Sequence, residues 1–254
     1  MRIVMFARTP RWYSFREDRL TKRLISEGVE IAGVVVEQTR TLDAFRDWLL
    51  KLGPRIVIQK LIRKGLGILR SWRSGPMTQK AVNGNGAGEA KIVMAPPVHF
   101  VASHNSAECV EIVRRLRPEL IVLRGCGIIK KQTLEIPSIG TINPHYALLP
   151  DYRGMDVTEW SVLSGDPAAV SVHWVSEEVD AGAVITSRRI NVERGDTLGS
   201  LREKSAALAS ELMVEALRRI ESGAAIPSST KNIEGRQFFT MHPRLRQLAE
   251  LRLK

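Results

Sequence analysis

Residues 120–127 read Leu-Ile-Val-Leu-Arg-Gly-Cys-Gly, and this segment indicates the architecture of the chain. Its four apolar residues predict the most apolar strand of the chain, the kind that is buried on both faces of a parallel sheet. The glycines that follow predict a turn at the carboxyl end of that strand. Ligands of open α/β sheets bind at the carboxyl ends of the strands, so we expect this turn to line a functional site.

The N-terminal part of the sequence predicts the same kind of sheet. Apolar runs at Arg2–Ala7 and Val29–Glu37 flank a segment with helical periodicity, Ser14–Glu27, and this strand–helix–strand order is typical of parallel pairing. A long helix is predicted over Thr197–Ser222. We therefore expect an α/β fold with an open, mostly parallel twisted sheet that is flanked by helices and related to the Rossmann fold.

Composition limits the class of protein. The 254 residues include two cysteines, Cys109 and Cys126, which form neither a disulfide framework nor a zinc-binding spacing. We expect a reducing, cytoplasmic compartment and no metal site. We also expect neither a signal peptide nor a membrane span, because the apolar runs are too short for either. The net charge of +11 indicates an anionic partner: a phosphate, a polyglutamate tail, a nucleic acid or a membrane surface.

The positive charge is distributed unevenly. Residues 51–88 contain eight Lys and Arg and no Asp or Glu. Two interpretations stay open for this segment, a solvated basic surface and a binding surface for nucleic acid or an anionic membrane. Residues 53–95, which include a glycine-rich connection, are predicted to be an insertion in the domain.

Two later segments combine polar side chains with turn residues. Residues 140–154 include Asn143 and His145, and residues 171–182 include Asp180. An amide can hold a developing oxyanion, an imidazole can move protons, and a carboxylate can orient or charge the imidazole. Each residue alone is as easily explained as a turn amide before proline, a core histidine or a loop carboxylate. Together they predict a site for acyl transfer.

These two segments resemble the signature motifs of the folate-dependent formyltransferase family and occur in the same order along the chain. The resemblance rests on Asn143-x-His145, on residues 148–154 (Leu-Leu-Pro-Asp-Tyr-Arg-Gly), and on Ser171-Val-His173 through Asp180-Ala-Gly182. It implies transfer of a formyl group from 10-formyltetrahydrofolate to a primary amine of a small-molecule acceptor. Asn143 and His145 would stabilise a tetrahedral intermediate, and Asp180 would assist proton transfer. We expect the Asp180 carboxylate either to raise the pKa of His145 or to hold a water that relays protons.

The resemblance also implies binding residues. Those expected to contact the folate are Gly125, Cys126, Gly127, Ile128, Ile129 and Val179. Those expected to contact the acceptor are Arg8, Thr9, Arg153 and His173. For His173, a strand side chain without a functional role is an equal alternative.

The resemblance further suggests the domain organisation and the partners. Residues 1–222 would form a formyltransferase-like catalytic domain, and residues 223–254 a short basic tail. The roughly thirty tail residues are too few for the tRNA-binding β-domain of methionyl-tRNA formyltransferases, so no tRNA partner is expected. The expected partners are folate and a small amine, and a homodimer stays open. A formyltetrahydrofolate deformylase, which would use the same three residues with water as acceptor, is the alternative enzyme.

Overall fold

A computed structural model describes residues 1–8, 19–38, 96–227 and 234–253 of the chain. The strands within these ranges are β1 (Arg2–Arg8), β2 (Glu30–Glu37), β3 (Val98–Val101), β4 (Leu120–Arg124), β5 (Gly140–His145), β6 (Tyr152–Gly154), β7 (Ala169–Trp174), β8 (Val184–Arg189) and β9 (Arg236–Phe238). The helices are α1 (Arg19–Ser26), α2 (Ala107–Leu116), α3 (Lys131–Leu134), α4 (Val157–Ser164), α5 (Leu198–Glu221) and α6 (Pro243–Leu251).

The main sheet has seven strands in the order β3-β2-β1-β4-β5-β7-β8. The five strands from β3 to β5 are parallel, whereas β7 is antiparallel to β5 and β8 is antiparallel to β7. The predicted α/β fold with a mostly parallel sheet is confirmed. The antiparallel β7 is the feature that matters for the site, because it starts at the carboxyl end of the parallel strands and puts His173 opposite Asn143 of β5.

The alternation of side chains along β1 divides the core into two parts. Ile3 and Met5 point to the face that α1 and α5 cover, whereas Val4 and Phe6 point to the face that α2 covers. All four side chains are fully buried. Helices on both faces explain why this strand consists of a continuous apolar run rather than an alternation of apolar and polar residues.

The longest helix, α5, begins and ends close to the predicted positions. Thr197 caps its N-terminus in a reciprocal capping box with Ser200, which satisfies two otherwise free backbone N–H groups. Leu208 is only partly buried, whereas Leu212, Met213 and Val214 are buried. The buried face is wide because α5 packs against β7, β8 and α1 together.

The last described residues form structure that continues the domain. Strand β9 pairs in parallel with β6 in a second, two-stranded sheet, and α6 follows it. The predicted boundary at residue 222 stays a prediction, as does the insertion at residues 53–95, which lies outside the described residues. None of the helices within the described ranges has the length and apolar character that crossing a membrane requires.

Truncation of a buried leucine on α5 tests this packing. Leu212 is fully buried, so Leu212→Ala should lower the free energy of unfolding by about 2–5 kcal/mol through lost apolar burial and a cavity. Leu248 on α6 is half exposed, and Leu248→Ala should change the free energy of unfolding by only about 0.5 kcal/mol. Urea titration of both variants measures the difference, and equal losses would contradict the assigned packing.

Candidate active site

Four polar side chains meet where β5 and β7 pair. Asn143 and His145 belong to β5, His173 belongs to β7, and Asp180 lies in the loop after β7. The register of the two strands puts Asn143 opposite His173. Residues two apart on a strand share a face, so Asn143 and His145 point toward the same loop. The structure thus brings together the three predicted catalytic residues, with His173 as a fourth member.

The hydrogen bonds of His145 define which ring nitrogen carries a proton. Its Nε2 lies 2.7 Å from the carbonyl oxygen of Tyr152. A carbonyl oxygen can only accept, so Nε2 donates. Its Nδ1 lies 3.4 Å from Oδ2 of Asp180. In the neutral ring, Nδ1 therefore holds the lone pair, and a proton taken up there would face the carboxylate.

The hydrogen bonds of His173 give the opposite arrangement. Its Nδ1 donates to the carbonyl oxygen of Trp174 at 2.8 Å. Its Nε2 lies 3.3 Å from the amide nitrogen of Asn143 and 3.5 Å from Oδ1 of Asp180. A neutral His173 accepts one amide N–H of Asn143 at Nε2. The ring therefore orients the Asn143 amide and leaves the second N–H of that amide available.

Asp180 is held by a tight loop. Its backbone has φ = 49°, in the left-handed region that residues other than glycine rarely adopt. Gly182 allows the loop to approach β7, because a Cβ at this position would lie 1.8 Å from the carbonyl oxygen of Trp174. The backbone N–H of Gly154 donates to Oδ2 of Asp180 at 2.9 Å. This loop geometry directs the carboxylate toward both imidazoles.

Burial dominates the protonation of the site. It lowers the pKa of His145, and the nearby Asp180 carboxylate opposes this effect without reversing it. The expected action of Asp180 is thus present, but the net pKa of His145 falls. For Asp180, burial acts to raise the pKa, but the proximity of His173 and His145 and the N–H donated by Gly154 outweigh it, and the pKa is lowered. The resting site holds a neutral His145 beside an ionised Asp180.

The predicted folate-binding turn follows β4. Gly125 has φ = 62°, and a Cβ added at Gly125 or Gly127 would meet no atom within 4 Å, so this backbone is open to a ligand. Ile128 beside it is 69% exposed, which is unusual for an isoleucine at the carboxyl end of a sheet. Burial raises the pKa of the Cys126 thiol to about 12, so this thiol is protonated. An open backbone beside an exposed apolar side chain suits a flat heterocycle.

Arg8 and Arg153, which are predicted to contact the acceptor, make polar contacts with residues outside the four-residue cluster. The Arg8 guanidinium pairs with Glu37 at 3.2 Å, and Nη2 of Arg153 donates to the carbonyl oxygen of Gly235 at 2.9 Å. Thr9 lies outside the described residues, and Val179 immediately precedes Asp180. Their binding roles stay predictions. In the described part of the chain, no group of three or more His, Cys, Asp or Glu residues could hold a metal ion.

Several groups that build the site were missed in the sequence. Asn105 fixes the turn after β4 by donating to the carbonyl oxygen of Ile128 at 2.9 Å and accepting from the backbone N–H of Lys130 at 2.7 Å. The Tyr152 carbonyl and the Gly154 N–H contact His145 and Asp180. Residues 152 and 154 belong to a quoted motif, but their backbone groups have no signature of residue type.

Comparison with known proteins gives one family. A family model described as formyl transferase matches residues 67–217, more than half of the chain. Methionyl-tRNA formyltransferase from Clostridioides difficile (strain 630) is 34% identical over 140 residues, which are 54% of this chain and 45% of that protein. The corresponding enzyme from Methylacidiphilum infernorum (isolate V4) is 36% identical over 123 residues, 48% of this chain and 38% of that protein. The matched part of the chain spans less than half the length of these relatives.

A solved structure shares the fold. Phosphoribosylglycinamide formyltransferase from Anaplasma phagocytophilum superposes with a TM-score of 0.59 at 17% identity, over 95% of this chain and 99% of that one. At 17% sequence identity, this similarity shows a shared fold and nothing about function.

One prediction about partners was wrong. The expectation that tRNA is not a partner is overturned by relatives that are named methionyl-tRNA formyltransferases. The expectation relied on the small number of residues after position 222. The matched part of the chain spans less than half of these relatives, so the number of tail residues does not argue against tRNA.

The lowered pKa of His145 predicts a pH-dependent stability. In the unfolded chain this imidazole gains a proton near pH 6.5, whereas in the folded chain it resists protonation until a lower pH. The unfolded state therefore binds more protons as the pH falls below 6.5, and the free energy of unfolding decreases, by up to about 1.4 kcal/mol per pH unit for this group. His145→Gln should show a shallower decrease between pH 6.5 and the folded pKa. Urea titrations at a series of pH values measure both slopes, and equal slopes would contradict the pKa direction.

Proposed function

The chain belongs to the formyl transferase family, and we propose that it transfers a formyl group from 10-formyltetrahydrofolate to a primary amine. The observation that carries this proposal is the convergence of Asn143, His145 and Asp180, with His145 and Asp180 at 3.4 Å. The family uses a formyltetrahydrofolate donor, and the open turn at residues 125–129 is the proposed place for its flat ring.

Asn143 would stabilise the charge that develops during the reaction. When the amine attacks the formyl carbon, the formyl oxygen becomes negatively charged. An amide has two N–H donors, and His173 accepts one of them at 3.3 Å. The second would donate to the developing oxyanion, and one such donor contributes roughly 3 kcal/mol of transition-state stabilisation. His173 would then act as a positioning residue for Asn143.

His145 and Asp180 would move the proton that the reaction displaces. A bond forms between the amine nitrogen and the formyl carbon, and the bond between that carbon and the folate nitrogen breaks. The attacking nitrogen loses a proton and the leaving nitrogen gains one. The lone pair at Nδ1 of His145 can accept a proton, and the ionised Asp180 stabilises the imidazolium that results. His145 is buried and only 15% of the Asp180 side chain is exposed, so this charge interaction is stronger than it would be in water.

The acceptor that the relatives favour is an aminoacyl-tRNA. Both methionyl-tRNA formyltransferases named above act, by their names, on the primary amine of an amino acid attached to tRNA. They support methionyl-tRNA as the first acceptor to test. A small-molecule amine is the other class of acceptor with the same chemistry.

Substitution of the three residues tests the reaction. Asn143→Ala should lower kcat by about 10²–10³-fold because an oxyanion donor is lost. His145→Gln should lower kcat by about 10²–10⁴-fold because the proton acceptor is lost, and Asp180→Asn should also lower it. Asn191→Ala, at an exposed asparagine, is the matched control and should keep full activity. The rates are measured from the absorbance change as tetrahydrofolate forms. Full activity in Asp180→Asn would refute the assignment.

The acceptor is identified by three parallel incubations with 10-formyltetrahydrofolate. Formylated methionyl-tRNA is the expected product when methionyl-tRNA is present. Product only with an amine library would replace tRNA with a small-molecule acceptor. Release of formate without any amine, lost in His145→Gln, would instead identify a deformylase.

A further inference from the structure

The short strand β6 makes contacts on both of its edges. Its one edge faces His145 and Asp180, and its other edge pairs with β9, near the C-terminal end of the described chain. We propose that β9 is a positioning element for the reaction and acts through Phe238, which fixes β6 and thereby the orientation of His145 and Asp180. This inference rests on the proposed function, because it concerns the residues that would transfer the formyl group.

The edge of β6 toward the site uses backbone groups alone. The carbonyl oxygen of Tyr152 accepts from Nε2 of His145 at 2.7 Å, and the N–H of Gly154 donates to Oδ2 of Asp180 at 2.9 Å. These two residues are two apart, so their backbone groups point to the same side of the strand. A shift of β6 would therefore change the orientation of His145 and Asp180 together.

The opposite edge of β6 uses the alternate backbone groups. The N–H of Met155 donates to the carbonyl oxygen of Phe238 at 3.0 Å, and the N–H of Arg236 donates to the carbonyl oxygen of Asp151 at 3.2 Å. The contact is close, because a Cβ at Gly154 would lie 2.1 Å from the carbonyl oxygen of Phe238. A three-residue strand has few hydrogen bonds of its own, so the pairing with β9 determines where β6 lies.

The ring of Phe238 attaches β9 to the body of the domain. It stacks on Tyr152 with ring centroids 5.0 Å apart and contacts Trp160 of α4 at 5.3 Å. The indole N–H of Trp160 donates to the carbonyl oxygen of the next residue, Phe239, at 2.9 Å. In contrast, the side chain of Phe239 is 70% exposed. The chain thus offers a partly buried, stacked ring and a matched exposed control at adjacent positions.

An ion-pair cluster provides an independent attachment after β9. Asp156 accepts from the backbone N–H of Met241 at 2.9 Å and from Nη2 of Arg246 on α6 at 2.8 Å. Arg246 also lies 3.7 Å from Glu159, which is buried. Neighbouring Arg244 is exposed, and no ion pair of its side chain is found among the described residues. Arg246 can therefore be tested against Arg244 without altering Phe238.

The test compares Phe238→Ala with Phe238→Tyr and with Phe239→Ala. Phe238→Ala should lower kcat by about 100-fold, because small displacements of reacting groups have effects of this size, while KM for 10-formyltetrahydrofolate changes little. Phe238→Tyr, which keeps the stacked ring, should restore the rate, and Phe239→Ala should match the wild type. Arg246→Gln should also lower kcat, whereas Arg244→Gln should leave kcat unchanged.

A spectroscopic measurement separates positioning from general loss of structure. In protein labelled with ¹⁵N-histidine, the His145 signals, assigned by their loss in His145→Gln, should show a single tautomer with the proton on Nε2. Phe238→Ala should show a mixture of both tautomers. An unchanged kcat and an unchanged tautomer in folded Phe238→Ala would overturn the inference. If Phe238→Ala does not fold, the same two readouts on Arg246→Gln decide.

The two proposals fail in distinguishable ways. A wild-type protein that binds no folate and transfers no formyl group would refute the proposed function. The tautomer comparison between wild type and Phe238→Ala would still decide whether β9 positions His145. Conversely, an active wild type whose Phe238→Ala variant keeps kcat and the Nε2 tautomer would refute only the positioning role.

Discussion

The antiparallel pairing of β5 with β7 is the constraint on which the rest of the site depends. It puts Asn143 opposite His173 and directs the loop after β7 back over the end of β5. Because that loop approaches Trp174 closely at Gly182 and its Asp180 carboxylate accepts from the N–H of Gly154, Asp180 has little freedom of position. The four polar side chains are thus brought together by strand register and one tight loop.

The position of the site follows from a change of strand direction. The parallel strands from β3 to β5 all have their carboxyl ends on the same side of the sheet, where β4 continues into the turn at residues 125–129. At the next position the strand direction reverses, and β7 brings His173 to the same place. One edge therefore combines an open backbone turn with an acid–base cluster. The proposed formyl transfer requires both features within reach of each other, the turn for the donor and the cluster for the proton.

The sequence predicted the features that depend on residue type. Apolar runs marked the strands, and the polar residues Asn143, His145 and Asp180 marked the site, so the fold, the family and the enzyme class were predicted correctly. Interactions of the backbone could not be predicted, because nearly every residue type has the same carbonyl and N–H groups that Tyr152 and Gly154 use here. The pairing of β9 with β6 was also missed, because three residues make no periodic pattern. The net pKa of His145 depends on burial, which cannot be read from the sequence. The prediction that tRNA is not a partner was wrong because it relied on the number of tail residues.

The pairing of β6 with β9 has a consequence for how the protein is made. Tyr152 and Arg236 are neighbours in space but far apart along the chain. Contacts between distant segments form late, because the loop between them must first be ordered. On a ribosome, residues 140–182 emerge well before β9, so the four polar side chains can gather while the strand that supports them still lacks its partner. The pairing that holds β6 in place can therefore form only after synthesis has passed Phe238.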